Sequence, residues 1–263
     1  MNTKPRGQSS ARAVTAARWT QGSVMLWNDI HHAGRRVFRQ LRYWRQQRIV
    51  NQFARLYHGS PLREDLTKGT TWRDGSTTWF GVPSEKCPLD LWIYQELIVR
   101  TKPDVIVECG VNYGGSALYY ASLLDLLKHG EIVAVDITLS RVYPEVRAHP
   151  RISLFESSST ERTIVELIKK RVQGRRTMVI LDSDHSLRHV RQELDLYADL
   201  VSPGCYLIVE DTIVNGHPVS PEHGPGPFEA VEEFISKRKD FHIDRRQHKY
   251  LMTYHPNGYL LRL

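Results

Sequence analysis

The chain predicts an α/β fold: a doubly wound sheet of about seven strands, preceded by a helical arm and closed by a C-terminal antiparallel hairpin. Three observations predict it. From Val105 onward, short runs of β-branched and aliphatic residues alternate with longer amphipathic stretches. Two of those runs end directly in acid: Met178-Val179-Ile180-Leu181 in Asp182, and Tyr206-Leu207-Ile208-Val209 in Glu210-Asp211. A glycine-rich turn, Gly110 to Ser116, follows the first run.

Taken in order, residues 1 to about 23 are polar and basic and read as a disordered tail. From about Val24 to Tyr57 the pattern is helical. Trp27, Ile30, Val37, Phe38, Leu41, Trp44 and Phe53 recur at three- and four-residue spacing, with arginines interleaved. Such a helix can lie on an anionic membrane surface or bind an acidic partner. It can equally pack on its own domain or on a twin subunit in a homo-oligomer. Residues 58–88, rich in Gly and Pro, read as loop with short extended pieces, and Leu89–Arg100 as a helix. Strands are expected at Val105–Cys109, Ile132–Asp136, Ile152–Phe155, Met178–Asp182 and Tyr206–Glu210. Helices are expected at Ser116–Lys128, Thr160–Arg171, Leu187–Leu200 and Phe228–Arg238. Tyr250–Tyr254 and Tyr259–Arg262, flanking Pro256-Asn257-Gly258, read as the closing hairpin. The domain boundary is placed between residues 57 and 58.

Charge is distributed unevenly. Residues 1–60 carry eleven Lys/Arg and one acid, Asp29, while the remainder carries 25 basic and 28 acidic side chains. The body is therefore mildly acidic, which argues against nucleic acid as a partner. Cys87, Cys109 and Cys205 are odd in number and lack metal spacing, so they read as reduced core residues of a cytoplasmic protein. Met1–Ser10 lacks the apolar run of a signal peptide, and no segment approaches the roughly 20 apolar residues that span a bilayer.

Neighbouring parallel strands end at one sheet edge, where ligands bind. Asp182, Glu210 and Asp211 gathered there would repel one another unless a cation lay between them, and a hard divalent ion such as Mg²⁺ suits oxygen ligands. His185 follows Asp182 by three residues. After the first strand, Glu108-Cys109-Gly110-Val111-Asn112-Tyr113-Gly114-Gly115-Ser116 departs from the dinucleotide fingerprint. An acid leading a glycine-rich turn is instead the pattern that cradles the methionine end of S-adenosylmethionine (SAM). Glu108, Gly110, Gly114, Gly115 and Ser116 are the candidates there. Asp136, ending the second strand, suits the ribose hydroxyls, and Asp182 is assigned to both cofactor and metal. Each residue has a plainer role open to it: helix capping for Asp182 and Asp211, a structural hydrogen bond for His185, a ligand-free turn for Gly114 and Gly115. Asp184 reads as a solvated or outer carboxylate, and His217 and His223 as loop histidines.

At these residues the chain resembles a known family. Glu156-Ser157-Ser158-Ser159-Thr160, Ile180-Leu181-Asp182-Ser183-Asp184-His185-Ser186, Val209-Glu210-Asp211, Asn215-Gly216-His217-Pro218-Val219, Gly224-Pro225-Gly226-Pro227-Phe228-Glu229-Ala230 and Asn257-Gly258-Tyr259-Leu260 stand in order. Together they resemble the rhamnosyl O-methyltransferases of bacterial glycolipid synthesis, which share a wider family with cephalosporin hydroxylase-like proteins and, more distantly, macrolide-sugar O-methyltransferases. The resemblance covers about Gly81 to Leu263. It implies a Rossmann-like class I methyltransferase sheet, SAM as methyl donor, Mg²⁺ as metal and a glycosylated acceptor. By position it implies Asp182, Glu210 and Asp211 as metal ligands and His185 as general base. Thr212-Ile213-Val214 departs from the Ser-Asn-Ile common in relatives, and Cys109 stands where some have Phe. A hydroxylase is disfavoured, since no His-x-Asp stands on a strand. A non-catalytic SAM-binding subunit tethered through the arm is the remaining alternative.

Overall fold

The computed structural model describes residues 41–58 and 77–263. The expected disordered tail and the first part of the arm lie outside the described residues. The chain divides into two compact units, residues 1–49 and Val50–Leu263. Residues 41–58 are helical.

Within the larger unit, β1 (Thr78–Trp79) and β2 (Val82–Pro83) form a small antiparallel ladder. Then come α1 (Pro88–Thr101), β3 (Val105–Cys109), α2 (Gly115–Leu127), β4 (Glu131–Asp136) and the short α3 (Pro144–Arg147). They are followed by β5 (Ile152–Glu156), α4 (Arg162–Val172), β6 (Thr177–Leu181), α5 (Leu187–Tyr197) and β7 (Tyr206–Val209). The chain closes with α6 (Pro227–Lys237), β8 (Phe241–Ile243) and β9 (Tyr259–Arg262). The main sheet has the order β5-β4-β3-β6-β7-β9-β8, in which β3 to β7 pair in parallel and β9 is antiparallel to β7 and to β8. The order reverses between β3 and β6, and a crevice opens beyond the carboxyl ends of those two strands.

Parallel strands covered on both faces need apolar side chains at every position. β3, β6 and β7 are buried throughout and are apolar except at Glu108 and Thr177. The two-residue period sends Val105, Val107, Cys109, Val179 and Leu181 to one face, packed with residues of α4, α5 and α6. Ile106, Met178, Ile180 and Ile208 go to the other face, with residues of α1 and α2. Glu108 shares the parity of Ile106, so it enters this second face fully buried. The three cysteines are buried and unpaired.

The closing hairpin needs correction. β9 is where the sequence puts it, but its antiparallel partner beyond β7 is Phe241–Ile243, not Tyr250–Tyr254. Residues 250–254 run without strand pairing because a buried acid on α1 takes their polar groups. Asp90 accepts from the Thr253 hydroxyl (2.5 Å), the Tyr254 backbone N–H (2.8 Å) and the Tyr259 hydroxyl (2.7 Å). Within the larger unit, residues 50–58 pack near the loop after β7, with Ala54 in a cluster containing Ile213, Val214 and Met252, and Arg55 donating to the Pro218 carbonyl at 3.0 Å.

Asp90→Ala strands three donors in the core, so it is expected to lower unfolding free energy by about 3 kcal/mol or more. Urea denaturation followed by tryptophan fluorescence measures this; a loss under about 1 kcal/mol would show that Asp90 does not anchor the C-terminal segment.

Candidate active site

A cleft of about 700 Å³ opens at the carboxyl ends of β3, β4 and β6. Its walls bring together Gly110, Ser116, Asp136, Asp182, His185 and Asp211 of the residues singled out in the sequence. Glu108, Gly114, Gly115 and Glu210 lie behind the wall instead. A smaller hollow of about 350 Å³ at the opposite edge, around His129 and Arg175, is lined by charges already paired with Asp104 and Glu131.

One end of the cleft is built around Asp136. Its Oδ2 accepts from the backbone N–H groups of Val111 (2.7 Å) and Asn112 (2.9 Å), and its Oδ1 from Thr138 (3.1 Å). The acid thus ties the glycine turn to the tip of β4 and leaves Oδ1 the freer oxygen. Gly110 has φ +93°, and a Cβ there would fall 1.9 Å from the Asp182 carbonyl oxygen, so β3 and β6 close only over glycine. Gly115 is required for a different reason: a Cβ would stand 2.3 Å from the Pro83 carbonyl oxygen, where β2 crosses the start of α2. The farther wall carries Ser158, Ser159 and His189. His189 Nε2 lies 3.0 Å from Ser159 Oγ, and the buried Glu193 accepts from Ser183 at 2.6 Å.

The acidic end holds a residue the sequence reading missed. Lys86 leaves the loop before α1 with its side chain 4 % exposed and places its ammonium against Asp182 Oδ2 and 2.6 Å from Glu210 Oε2. Burial works against its charge, but Asp182, Glu210 and Glu108 outweigh that and raise its pKa well above the ordinary lysine value. Burial also disfavours the Asp182 carboxylate, yet Lys86 and His185 hold its pKa down at about 2. Burial and the neighbouring Asp182 charge push Glu210 up. Glu108, unpartnered at both oxygens, is pushed by burial up to about 8. Glu210 is further held by the Tyr94 hydroxyl at 2.7 Å.

His255 lies behind the acid pair and is buried. Its Nδ1 accepts the Asp211 backbone N–H at 3.0 Å, which places the proton on Nε2, 3.2 Å from the Tyr94 hydroxyl and 3.5 Å from Glu210. That bond supports Asp211 in a left-handed conformation, φ +51°. Lys86 sits in the Gly/Pro-rich stretch, Tyr94 reads as an apolar helix residue and His255 as part of a hairpin. None carries a local signal of its role.

Toward the cleft, Asp182, His185 and Asp211 offer ligand atoms all within 4.8 Å of one another. His185 Nε2 stands 3.4 Å from Asp182 Oδ1 and 3.3 Å from Asp211 Oδ2, without a hydrogen bond to either. Burial lowers the imidazole pKa, but the flanking acids win and raise it to about 9. Two carboxylate oxygens converging on the cleft are hard donors that fit a divalent ion, and the imidazole stands beside them. Glu210, turned to Lys86 and Tyr94, is outside this cluster. Asp184 caps locally, accepting from the Ser186 N–H at 2.7 Å.

His217, stacked on Phe228 at 3.7 Å, meets Glu229 at 2.9 Å, and Glu229 also accepts from Asn215 (2.8 Å) and from the Gly226 N–H (2.7 Å). These bonds pin the loop that follows Asp211.

The sheet order, the turn anchored on Asp136 and the crevice at the strand reversal define a class I methyltransferase. A family model described as rhamnosyl O-methyltransferase/CmcI matches residues 72–263. A rhamnosyl O-methyltransferase of Mycobacterium bovis (strain BCG / Pasteur 1173P2) is 36 % identical over 230 residues, covering 85 % of this chain and 89 % of that protein. One from Mycobacterium leprae (strain TN) is 38 % identical over 192 residues, covering 71 % and 83 %. A solved structure described as CmcI with Mg and SAM superposes with a TM-score of 0.56 at 20 % identity, covering 76 % of this chain and 84 % of the other, and shares the fold. The chain belongs to the rhamnosyl O-methyltransferase/CmcI family and is thereby a SAM-dependent O-methyltransferase.

Burial opposes the Glu229 carboxylate, but its bonds to Gly226, His217 and Asn215 hold its pKa down at about 2. A depressed pKa gives stability that is present above the unfolded value near 4.5 and lost as pH falls toward 2. The Gly226 amide resonance is therefore expected to hold its position in NMR spectra from pH 7 to about 3 and to move only below that. In Glu229→Gln the shifted resonance is expected already at pH 7; an unchanged one would remove Glu229 as the pin.

Proposed function

We propose that this chain transfers the methyl group of SAM to a hydroxyl of a sugar, rhamnosyl or related, carried by a glycolipid, surface polysaccharide or glycosylated natural product. The observation that carries this reading is one cleft walled at one end by the Asp136-anchored turn and at the other by Asp182, His185 and Asp211. The names of the mycobacterial relatives support the sugar as acceptor. Gly110, Ser116 and Asp136 line the donor end, with Ser158 and Ser159 on the wall beyond. Glu108, Gly114 and Gly115 support this end from behind.

Asp182 and Asp211 would hold a Mg²⁺ ion at the cleft, with His185 beside them and Glu210 the third family carboxylate, here engaged by Lys86. A bound Mg²⁺ supplies Lewis acidity, which lowers the pKa of a coordinated sugar hydroxyl. His185 is the residue placed to take the hydroxyl proton, through Nε2. While it carries its own proton between Asp182 and Asp211 it cannot do so, and neutralising those acids frees it to act as a base. Holding donor and acceptor side by side in one cleft would supply the orientation that methyl transfer needs.

The exposed face of the arm helix supports a second element of the proposal. Leu41, Tyr43, Trp44 and Ile49 are exposed among Arg42, Arg45 and Arg48, and residues 41–49 contain no acid. This face suits peripheral contact with anionic lipid. Among the described residues no helix is long and apolar enough to cross a membrane.

With labelled SAM and a rhamnosyl acceptor, Asp182→Ala is expected to lose methyl transfer while largely keeping SAM binding by calorimetry. Wild-type protein is expected to lose activity in chelator. Full activity of Asp182→Ala in chelator-treated buffer would sink the metal reading. His185→Ala is expected to be slower by about 100-fold or more, and an unchanged rate would remove it as base. Full-length protein is expected to co-sediment with phosphatidylglycerol vesicles and a version lacking residues 1–57 to stay in solution; equal binding would reject the arm as membrane contact.

A further inference from the structure

Asp182 has two oxygens and two neighbourhoods. Oδ2 faces inward to the Lys86 ammonium, and Oδ1 faces the cleft-side cluster of His185 and Asp211. Among the described residues Lys86 is the only lysine or arginine paired with both Asp182 and Glu210; it is buried with Glu210, while Asp182 stays partly open to the cleft. Its backbone is held in place. The Lys86 carbonyl accepts from the Thr77 hydroxyl at 2.6 Å, and the Ser84 hydroxyl lies 3.0 Å from the same Thr77 oxygen.

We propose that Lys86 is a built-in competitor of the divalent ion: ammonium and ion share Asp182, and the lysine weakens ion binding while letting the site fold without one. The proposal rests on the metal reading given above. Two opposing effects decide its sign. Lys86 fixes the Asp182 and Glu210 carboxylates, which favours ion binding by ordering the site beforehand. Its charge also stands one carboxylate away from the ion, in a buried setting where salt screens poorly, and repels it. Ordering two short side chains that already have other partners, Tyr94 for Glu210 and His185 for Asp182, is the smaller effect. Repulsion therefore wins. Lys86 also engages Glu210, the acid that the cleft-side cluster lacks, so Asp182 is the one carboxylate both cations would share.

Removing the charge gives a readout independent of catalysis. Mg²⁺ is titrated by calorimetry into wild-type protein and Lys86→Met, an unbranched apolar replacement, and thermal unfolding is recorded with and without the ion. Lys86→Met is expected to bind Mg²⁺ tenfold or more tightly than wild type. It is expected to unfold at a lower temperature without ion and to gain more from saturating Mg²⁺, because the ion then supplies the missing positive charge. If Lys86→Met does not fold alone, the comparison is made in the Glu210→Gln background, where one buried acid is removed with the lysine. Lys86→Met/Glu210→Gln is then expected to bind Mg²⁺ tenfold or more tightly than Glu210→Gln. Equal or weaker binding on removal of the lysine overturns the competition and leaves the metal site standing. Absence of Mg²⁺ and Mn²⁺ binding in every protein overturns both.

Discussion

The structure depends on the electrostatics of a buried sheet edge. Glu108, Asp182 and Glu210 arrive there on three adjacent strand segments, out of reach of bulk water for the most part. Uncompensated carboxylates in such a place are costly, so they must be protonated, paired or bound to a cation. The fold uses two of these solutions together: Lys86 pairs with Asp182 and Glu210, and burial pushes the Glu108 carboxyl up to about 8, toward its neutral form. A buried ion pair of this kind contributes little net stability, but losing one partner leaves the other charge stranded.

The placement of Lys86 links parts of the chain that look unrelated. Its loop is delivered by the β1–β2 ladder, which crosses the start of α2 at Pro83. That crossing requires Gly115, since any Cβ would strike the Pro83 carbonyl. A glycine read as part of a cofactor turn thus acts through packing: it lets a strand pass close enough to bring a lysine to the acids. Gly110 acts in the same way between β3 and β6, fixing the turn against Asp182. The Asp136 end and the acidic end of the cleft are therefore mechanically joined.

Behind the acids, Tyr94 donates to Glu210 and His255 holds the Asp211 backbone; in front, His185 sits between Asp182 and Asp211. The same dyad of strand tips thus has a sealed structural side and an open chemical side. Glu229 pins the loop after Asp211, so the open side has a fixed rim. This division explains how one acidic edge can be stable in the folded chain and still offer donors to a ligand.

The sequence by itself determined the sheet. Val105–Cys109 is a strand with the bounds expected, the other four parallel strands agree to within a residue or so, and the acids Asp136, Asp182 and Asp211 stand at the cleft. These features are local: apolar periodicity and strand-end acids are written in consecutive residues, and parallel topology carries them to one edge. Tertiary structure decided the rest. The two-residue strand period turned Glu108 inward, away from the cleft, and Lys86 turned Glu210 with it. The partner of β9 became Phe241–Ile243, too short a run to show periodicity, because Asp90 drew residues 253–259 into hydrogen bonds across more than 160 positions. Lys86, 96 residues from Asp182, carries no mark in its own segment. Its role comes from the contact alone, since a buried charge is defined by what the fold sets beside it.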